Sequence, residues 1–235
     1  EARKASVVHL HYRAALAIHT VTIYNGYMIQ NKQLSQTHGM HPQRQARDFR
    51  FDTGRLCLDF VATVGWRLAT PLERLPLPGD LARWFVEAHL CAIEPSVAVA
   101  QYTGALALRE AIYRSALAIM SHSTPDAADV ILINAWAAQP IAVPQLDEAT
   151  LLVCWQAEQP VEAALAAVAR DTVELLGGRD VELLGVCEGA GCGMVFINGS
   201  RSKRRRWCSM AECGNLSKVH GYRQRRKGIL NEETF

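Results

Sequence analysis

Two short stretches of this chain repeat one pattern. Cys187-Glu-Gly-Ala-Gly-Cys192-Gly193 and Cys208-Ser-Met-Ala-Glu-Cys213-Gly214 both read C-x4-C-G, with fifteen residues between the halves. A short loop lets two thiolates turn toward one ion, and two such loops supply the four soft ligands that a tetrahedral zinc ion takes up. Four sulfurs close the coordination sphere and leave no position for an activated water, so the expected role of one zinc is structural. The glycine after each second cysteine frees the backbone where amide groups crowd the sulfur. Cys57, Cys91 and Cys154 each stand alone among apolar neighbours and read as small buried hydrophobes. Seven cysteines is an odd number, and no secretory-type segment opens the chain, so a reducing, cytoplasmic setting is expected rather than a disulfide scaffold.

Between the half-sites, Met194-Val195-Phe196-Ile197 runs into Asn198-Gly199, a strong short-range hairpin signal. Residues 200–207 would form the returning strand. After Cys213 a helix is expected to Lys227, with Gly221 its only interior breaker. Lys218, Tyr222 and Arg225 would share one face of it, and Leu216 and Val219 another that packs on Phe196 or Trp207. Knuckle, hairpin, second knuckle and helix together resemble a treble clef.

Charge singles out the same region. The 235 residues sum to a formal +2, yet residues 187–227 hold ten Lys or Arg against only Glu188 and Glu212, a net of +8. Residues 1–186 therefore carry −4 once Glu232 and Glu233 are counted. A cationic face interleaved with zinc-type cysteines is the footprint of a polyanion-binding module. Four thiolates around a dication leave −2, which Arg204, Arg205 and Arg206 would offset. Adjacent strand residues alternate faces, so not all three can do so, and those pointing outward have phosphate as their natural partner. DNA is the expected partner; RNA, a protein surface or a merely solvated basic tail are the alternatives.

The rest of the chain reads as a leader and a helical domain. Residues 1–48 hold five of the eight histidines and only two acids, and Met40 could be the true start. His9 and His11 share a side of any strand there but receive no role. From Phe49, apolar alternation around Asp52-Thr53-Gly54 suggests a short hairpin or a strand feeding a helix. Pro71, Pro76, Pro78 and Gly79 mark a loop, after which Asp80 would cap a helix burying Leu81, Trp84, Phe85 and Ala88. Pro95 would open a long helix to Met120, and Pro125 another to Trp136. Pro140 and Pro144 would then break the chain before a short strand at 151–155. Pro160 would start a helix to Gly177-Gly178 that carries an Arg170–Glu174 pair. The expected fold is mainly α. It comprises a multihelical domain over 49–180 with a short β-hairpin, and a small treble-clef-like zinc finger over 181–230. No apolar run reaches the roughly 18 residues of a membrane span.

Arg205-Arg206-Trp207-Cys208-Ser209-Met210, Cys213-Gly214-Asn215, Lys218, Tyr222 and Arg223 closely resemble the CGNR zinc finger. Leu56-Cys57-Leu58-Asp59-Phe60-Val61 with Thr63, then Asp80-Leu81 with Trp84, resemble the ABATE domain that precedes that finger. The resemblance covers roughly residues 49–227 and implies a stress-induced bacterial transcription regulator with DNA as its target. It implies zinc on Cys187, Cys192, Cys208 and Cys213. It also implies a nucleic-acid surface of Arg201, Lys203, Arg204, Arg205, Arg206, Asn215, Lys218, Tyr222, Arg223, Arg225 and Arg226. The helical domain would dimerise or sense a small-molecule effector. The chain departs from the family pattern at three places: Leu216 stands for the motif's last arginine, Asn198 for an acid, and Ala62 for an asparagine.

Catalysis finds little support. Ser200-Arg-Ser-Lys203 matches S-x-x-K literally but falls between zinc ligands rather than at a helix start with companion motifs. The glycines from Gly189 to Gly193 lack the following Lys-Ser/Thr of a phosphate loop. His220 could replace a thiolate but is not needed beside four cysteines. No enzyme is expected.

Overall fold

The computed structural model of the chain describes residues 48–199 and 205–219. His9, His11, Met40, Ser200, Lys203, His220 and Gly221, among the positions singled out above, lie outside them. Among the described residues the fold is mainly helical, with three small antiparallel hairpins.

The chain enters as an extended segment through Thr53 and turns into helix α1, Leu56–Val61, all six residues of which are buried. The turn is held by Asp59, whose Oδ1 accepts the Thr53 N–H at 3.0 Å and the Thr53 hydroxyl at 2.8 Å. The expected strand feeding a helix is thus an extended lead-in without a partner strand of its own. Its Thr53 carbonyl instead takes the Ile197 N–H from far down the chain, at 2.7 Å. Strands β1, Val64–Gly65, and β2, Leu72–Glu73, pair as a minimal hairpin.

Helix α2 spans Pro78–Glu87. Leu81, Trp84, Phe85 and Ala88 are buried as their spacing predicts, and Trp84 packs against Phe60 with ring centroids 4.9 Å apart. Asp80 is not the cap residue. It sits in the first turn and reaches back to the Leu77 N–H at 3.2 Å, because Pro78 already supplies the fixed φ of the first position.

Helix α3 runs over Val99–Met120 and starts four residues beyond Pro95. Gln101 accepts the Ala98 N–H at 2.7 Å, and this one-way cap from the first turn, not the proline, sets the start. Helix α4, Ala127–Ala137, is capped by Asp126, which accepts the Ala128 N–H at 2.7 Å.

Residues that two prolines were expected to disrupt form a strand instead. β3, Val143–Leu146, contains Pro144 and pairs with β4, Val153–Gln156. Proline is tolerated because the ribbon has two strands only, each with an unpaired edge where a missing N–H costs nothing.

Helix α5, Pro160–Gly177, is the central element, with ten residues buried against α4, α3 and α1. The Arg170–Glu174 pair does not form. Arg170 donates to the Ala137 and Gln139 carbonyls, both at 2.8 Å, and so satisfies the end of α4. Glu174 lies instead 3.7 Å from Arg55. Of the three isolated cysteines, Cys57 is fully buried and burial pushes its thiol well up, whereas Cys91 and Cys154 are half-exposed rather than core residues.

A 3-10 turn at Arg179–Leu183 leads into β5, Leu184–Val186, which pairs with β6, Val195–Ile197. The described partner of the 195–197 strand therefore comes from before the first knuckle; of the expected returning strand at 200–207 only 205–207 are described, and they are irregular. The chain ends, as described, in a π-helical turn over Met210–Gly214 that continues as helix through residues 215–219.

Candidate metal centre

The two C-x4-C-G halves do different structural jobs. The first is the loop of the β5–β6 hairpin: the Cys187 N–H donates to the Met194 carbonyl at 2.9 Å, so the ladder closes directly behind the knuckle. Gly193 sits at φ +64, a left-handed conformation that costs glycine nothing, and a Cβ there would strike the Leu68 side chain at 2.8 Å. The second half is a helix start. Ser209 accepts the Glu212 N–H at 3.3 Å as its cap, and Cys213 stands in the first turn. The helix thus begins before Cys213, not after it.

Together the halves bring Cys187, Cys192, Cys208 and Cys213 into one buried cluster whose four Sγ atoms all lie within 4.8 Å of one another. Cys208 Sγ is 3.7 Å from Cys192 Sγ and 3.6 Å from Cys213 Sγ. Sulfurs at the corners of a zinc tetrahedron with bonds near 2.3 Å are about 3.8 Å apart, so the spacing is that of ligands sharing one ion. All seven cysteines are free of disulfides. Hydrogen bonding among the crowded thiols pulls Cys187 and Cys192 below the ordinary thiol range and drives Cys208 and Cys213 far above it. A dication is what allows all four to ionise together. Backbone amides of Gly189 and Cys208 point at Cys187 Sγ from 3.4 and 3.3 Å, the usual outer support of a thiolate ligand. The residues fit one structural zinc, which supplies a cross-link between hairpin and helix and no open coordination position.

Sequence reasoning missed the cation that faces this centre. Arg50 is 5% exposed, and its Nη1 lies 3.5 Å from Cys208 Sγ and 2.8 Å from Glu212 Oε2, while Asp52 holds the other side at 2.9 Å. Its neighbouring carboxylates, against the opposing cost of burial, hold its charge even more firmly than usual. Nothing near Arg50 in the sequence signals a metal, because the contact spans 158 positions. Changing Arg50 to alanine removes an outer-shell donor from one thiolate and leaves the ligand set whole. Zinc should stay bound but with affinity lowered about 10- to 100-fold, read by competition with a chromophoric chelator.

The helical domain also grips the first knuckle directly. Backbone N–H groups of Arg67 and Leu68 donate to the Cys192 and Gly191 carbonyls at 3.0 and 3.1 Å, and the Tyr113 hydroxyl donates to the Gly193 carbonyl at 3.1 Å. Arg67 is itself held by Glu110 at 2.7 Å and lies 4.1 Å over the Tyr113 ring. Ala62 of the helical domain is buried in one cluster with the four cysteines, Met194 and Phe196, and Trp66 and Trp207 pack at its margin. This close packing is what a small side chain at Ala62, where the family pattern has asparagine, accommodates.

The two described arginines of the 204–206 run point to opposite sides, although the segment is irregular and not a strand. Arg205 turns inward: its guanidinium lies 4.5 Å over the Phe196 ring and donates to the Trp207 and Cys208 carbonyls. Arg206 turns outward, 61% exposed, with Glu188 at 2.6 Å as its partner. Asn215 and Lys218 are exposed on the finger helix, where Asn215 donates to the Ala211 carbonyl at 3.0 Å. Leu216 and Val219 do not pack on Phe196 or Trp207. They are 48% and 44% exposed, half-open positions instead of the covered face expected of them. Arg201, Lys203, Arg204, Tyr222, Arg223, Arg225 and Arg226 lie outside the described residues.

A tetrathiolate knuckle pair docked on a helical domain makes this a zinc-finger protein in which the metal centre is structural. Two families match the chain: ABATE, described as "Putative stress-induced transcription regulator", over residues 54–179, and the CGNR zinc finger over residues 184–226. The chain belongs to the ABATE family and carries its zinc finger at the C-terminal end of the match. A search of curated proteins found no match. Among the described residues no helix is long and apolar enough to cross a membrane.

Proposed function

We propose that the chain is a transcription regulator that binds duplex DNA through its zinc finger. The observation that carries this reading is the segregation of charge: a net of +8 over residues 187–227 in a chain whose total is +2. The zinc and the docked hairpin hold Arg205, Arg206 and Lys218, the described cations of that segment, on a scaffold. Arg206 supports the reading because its exposed pair with Glu188 is worth little and is readily exchanged for a phosphate. Lys218 is exposed one helical stretch beyond the metal. Arg205 belongs to the scaffold side of this interface, since its guanidinium is spent on Phe196 and on the backbone around Cys208.

Duplex binding followed by fluorescence anisotropy at two salt concentrations tests this. With about four to six phosphates neutralised, affinity should fall roughly 10²- to 10³-fold between about 50 and 200 mM salt. Replacing Arg206 and Lys218 by alanine should weaken binding to all sequences alike and flatten the salt slope by about one per residue. A slope near zero, or a clear preference for unpaired RNA, would remove duplex DNA as the target. An effector bound in the helical half would be felt at the finger through Arg50 and Arg67, which touch the metal ligands from that side.

A further inference from the structure

The β3–β4 ribbon leaves both of its faces in water, and one of them is wholly apolar. Its register pairs Pro144 with Trp155 and Leu146 with Val153 on one face, and Val143 with Gln156 and Gln145 with Cys154 on the other. An antiparallel ribbon in a monomer normally points its apolar face at the core and its polar face outward. Here the wholly apolar face is open: Leu146 is 66% exposed, Val153 64% and Trp155 45%. At the tip Leu151 and Leu152 are 72% and 68% exposed. Among the described residues the ribbon's principal packing is of its two strands on each other.

We propose that this face is where two copies of the chain meet, apolar face against apolar face about a two-fold axis. The area is right. Pro144, Leu146, Val153 and Trp155 on this face, with Leu151 at the tip, leave on the order of 500 Å² of apolar surface in water, at the upper end of what a monomer shows. Two such faces would bury about 1,000 Å² before any rim is counted, the lower bound of a specific interface. The charge is right too. Neither strand contains a charged residue, so the strands can face a second copy without like charges meeting, the acids Asp147 and Glu148 lying at the tip.

The ribbon is also held ready for docking. Asp147 Oδ1 accepts the Ala149 and Thr150 N–H groups and the Thr150 hydroxyl, at 3.2, 2.8 and 2.7 Å, and so stiffens the tip. Leu151 is kept at φ +55, a left-handed conformation that leucine rarely adopts, with its side chain in solvent. Beside Trp155 a cavity of about 370 Å³, lined by Leu90, Ile93, Pro95 and Pro160 among others, offers a recess at the margin of the face.

The mass of the zinc-loaded full chain in solution tests this without reference to DNA, so it stands or falls apart from the DNA reading. Light scattering or sedimentation equilibrium should give about 52 kDa, twice the 26.0 kDa of one chain. A two-fold contact meets each residue twice, so Leu146→Glu alone places two carboxylates in the interface. Its dimer dissociation constant should rise on the order of 100-fold. Val153→Lys should act the same way, while Gln145→Glu on the opposite face should leave the mass unchanged. Circular dichroism and zinc content show that each variant is folded. A wild-type chain of 26.0 kDa at about 50 μM, far above the dissociation constant of a standard interface, would overturn the proposal. So would a dimer that survives both Leu146→Glu and Val153→Lys. Should the monomer co-sediment with phosphatidylcholine vesicles, the face belongs to lipid instead.

Discussion

Replacing Cys208 by serine is expected to release the zinc and to destabilise the helical domain as well as the finger. A structural zinc contributes on the order of 10–16 kcal/mol of folding free energy in small modules, as much as the whole stability of an ordinary domain. The finger's own core, around Met194, Val195 and Phe196, is too small to replace it. The loss spreads because the finger is built into its neighbour. Without the cluster, Arg50 loses Cys208 and Glu212, Thr53 loses the Ile197 amide, and the Arg67 and Leu68 amides lose the knuckle carbonyls. Metal analysis should fall from one zinc per chain to nearly none, and the melting temperature should drop by about 10 °C or more. A chelator acting on the unaltered chain should reproduce the effect. The ligand assignment fails if the Cys208→Ser chain still holds one zinc. The docking argument fails if the metal-free chain melts with its helical part unaffected.

Arg55→Ala should also destabilise the helical domain strongly, by a different route. Arg55 and Asp171 are each 6% exposed and paired at 2.8 Å, and Arg55 also donates to the Asp171 carbonyl at 3.1 Å. Asp171 in turn accepts the Cys57 N–H at 2.8 Å, so the pair locks α1 to α5 in the centre of the domain. Removing the arginine leaves a carboxylate buried without its counter-charge, which costs about 3–5 kcal/mol. Urea unfolding should register that loss. Adding Asp171→Asn should restore more than half of it, because the amide still accepts the Cys57 N–H and no longer carries charge. Equal stability of the single and double variants would show that packing rather than charge is at stake.

The metal ligands were legible because zinc chemistry is written in residue type and spacing. The helices of the larger domain were legible because burial of Leu81, Trp84, Phe85 and Ala88 follows the 3.6-residue period. Boundaries were less so. Proline marked a start at Pro160 but not at Pro95, where a side chain three residues into the helix set the cap, and Pro78, read as part of a loop, is itself the first residue of α2. Pro144 read as a breaker until the ribbon showed that it lies where no partner needs its missing amide. Arg170 read as half of a helix-surface pair, yet the carbonyls left open at the end of α4 are the stronger acceptors in reach.

By itself the sequence determined that four thiolates would share an ion, that a mainly helical domain would precede them, and that positive charge would gather around the metal. All three depend on residue identity and near spacing. Tertiary structure alone decided that one repeated C-x4-C-G makes a hairpin loop and the other a helix start, that Arg50 faces Cys208, and that the β3–β4 ribbon bares its apolar side. The Arg50 contact depends on which distant segment arrives alongside, and a contact across 158 positions leaves no periodicity in the chain that makes it. The other two depend on backbone geometry and on what packs over a segment, which residue type and spacing do not specify.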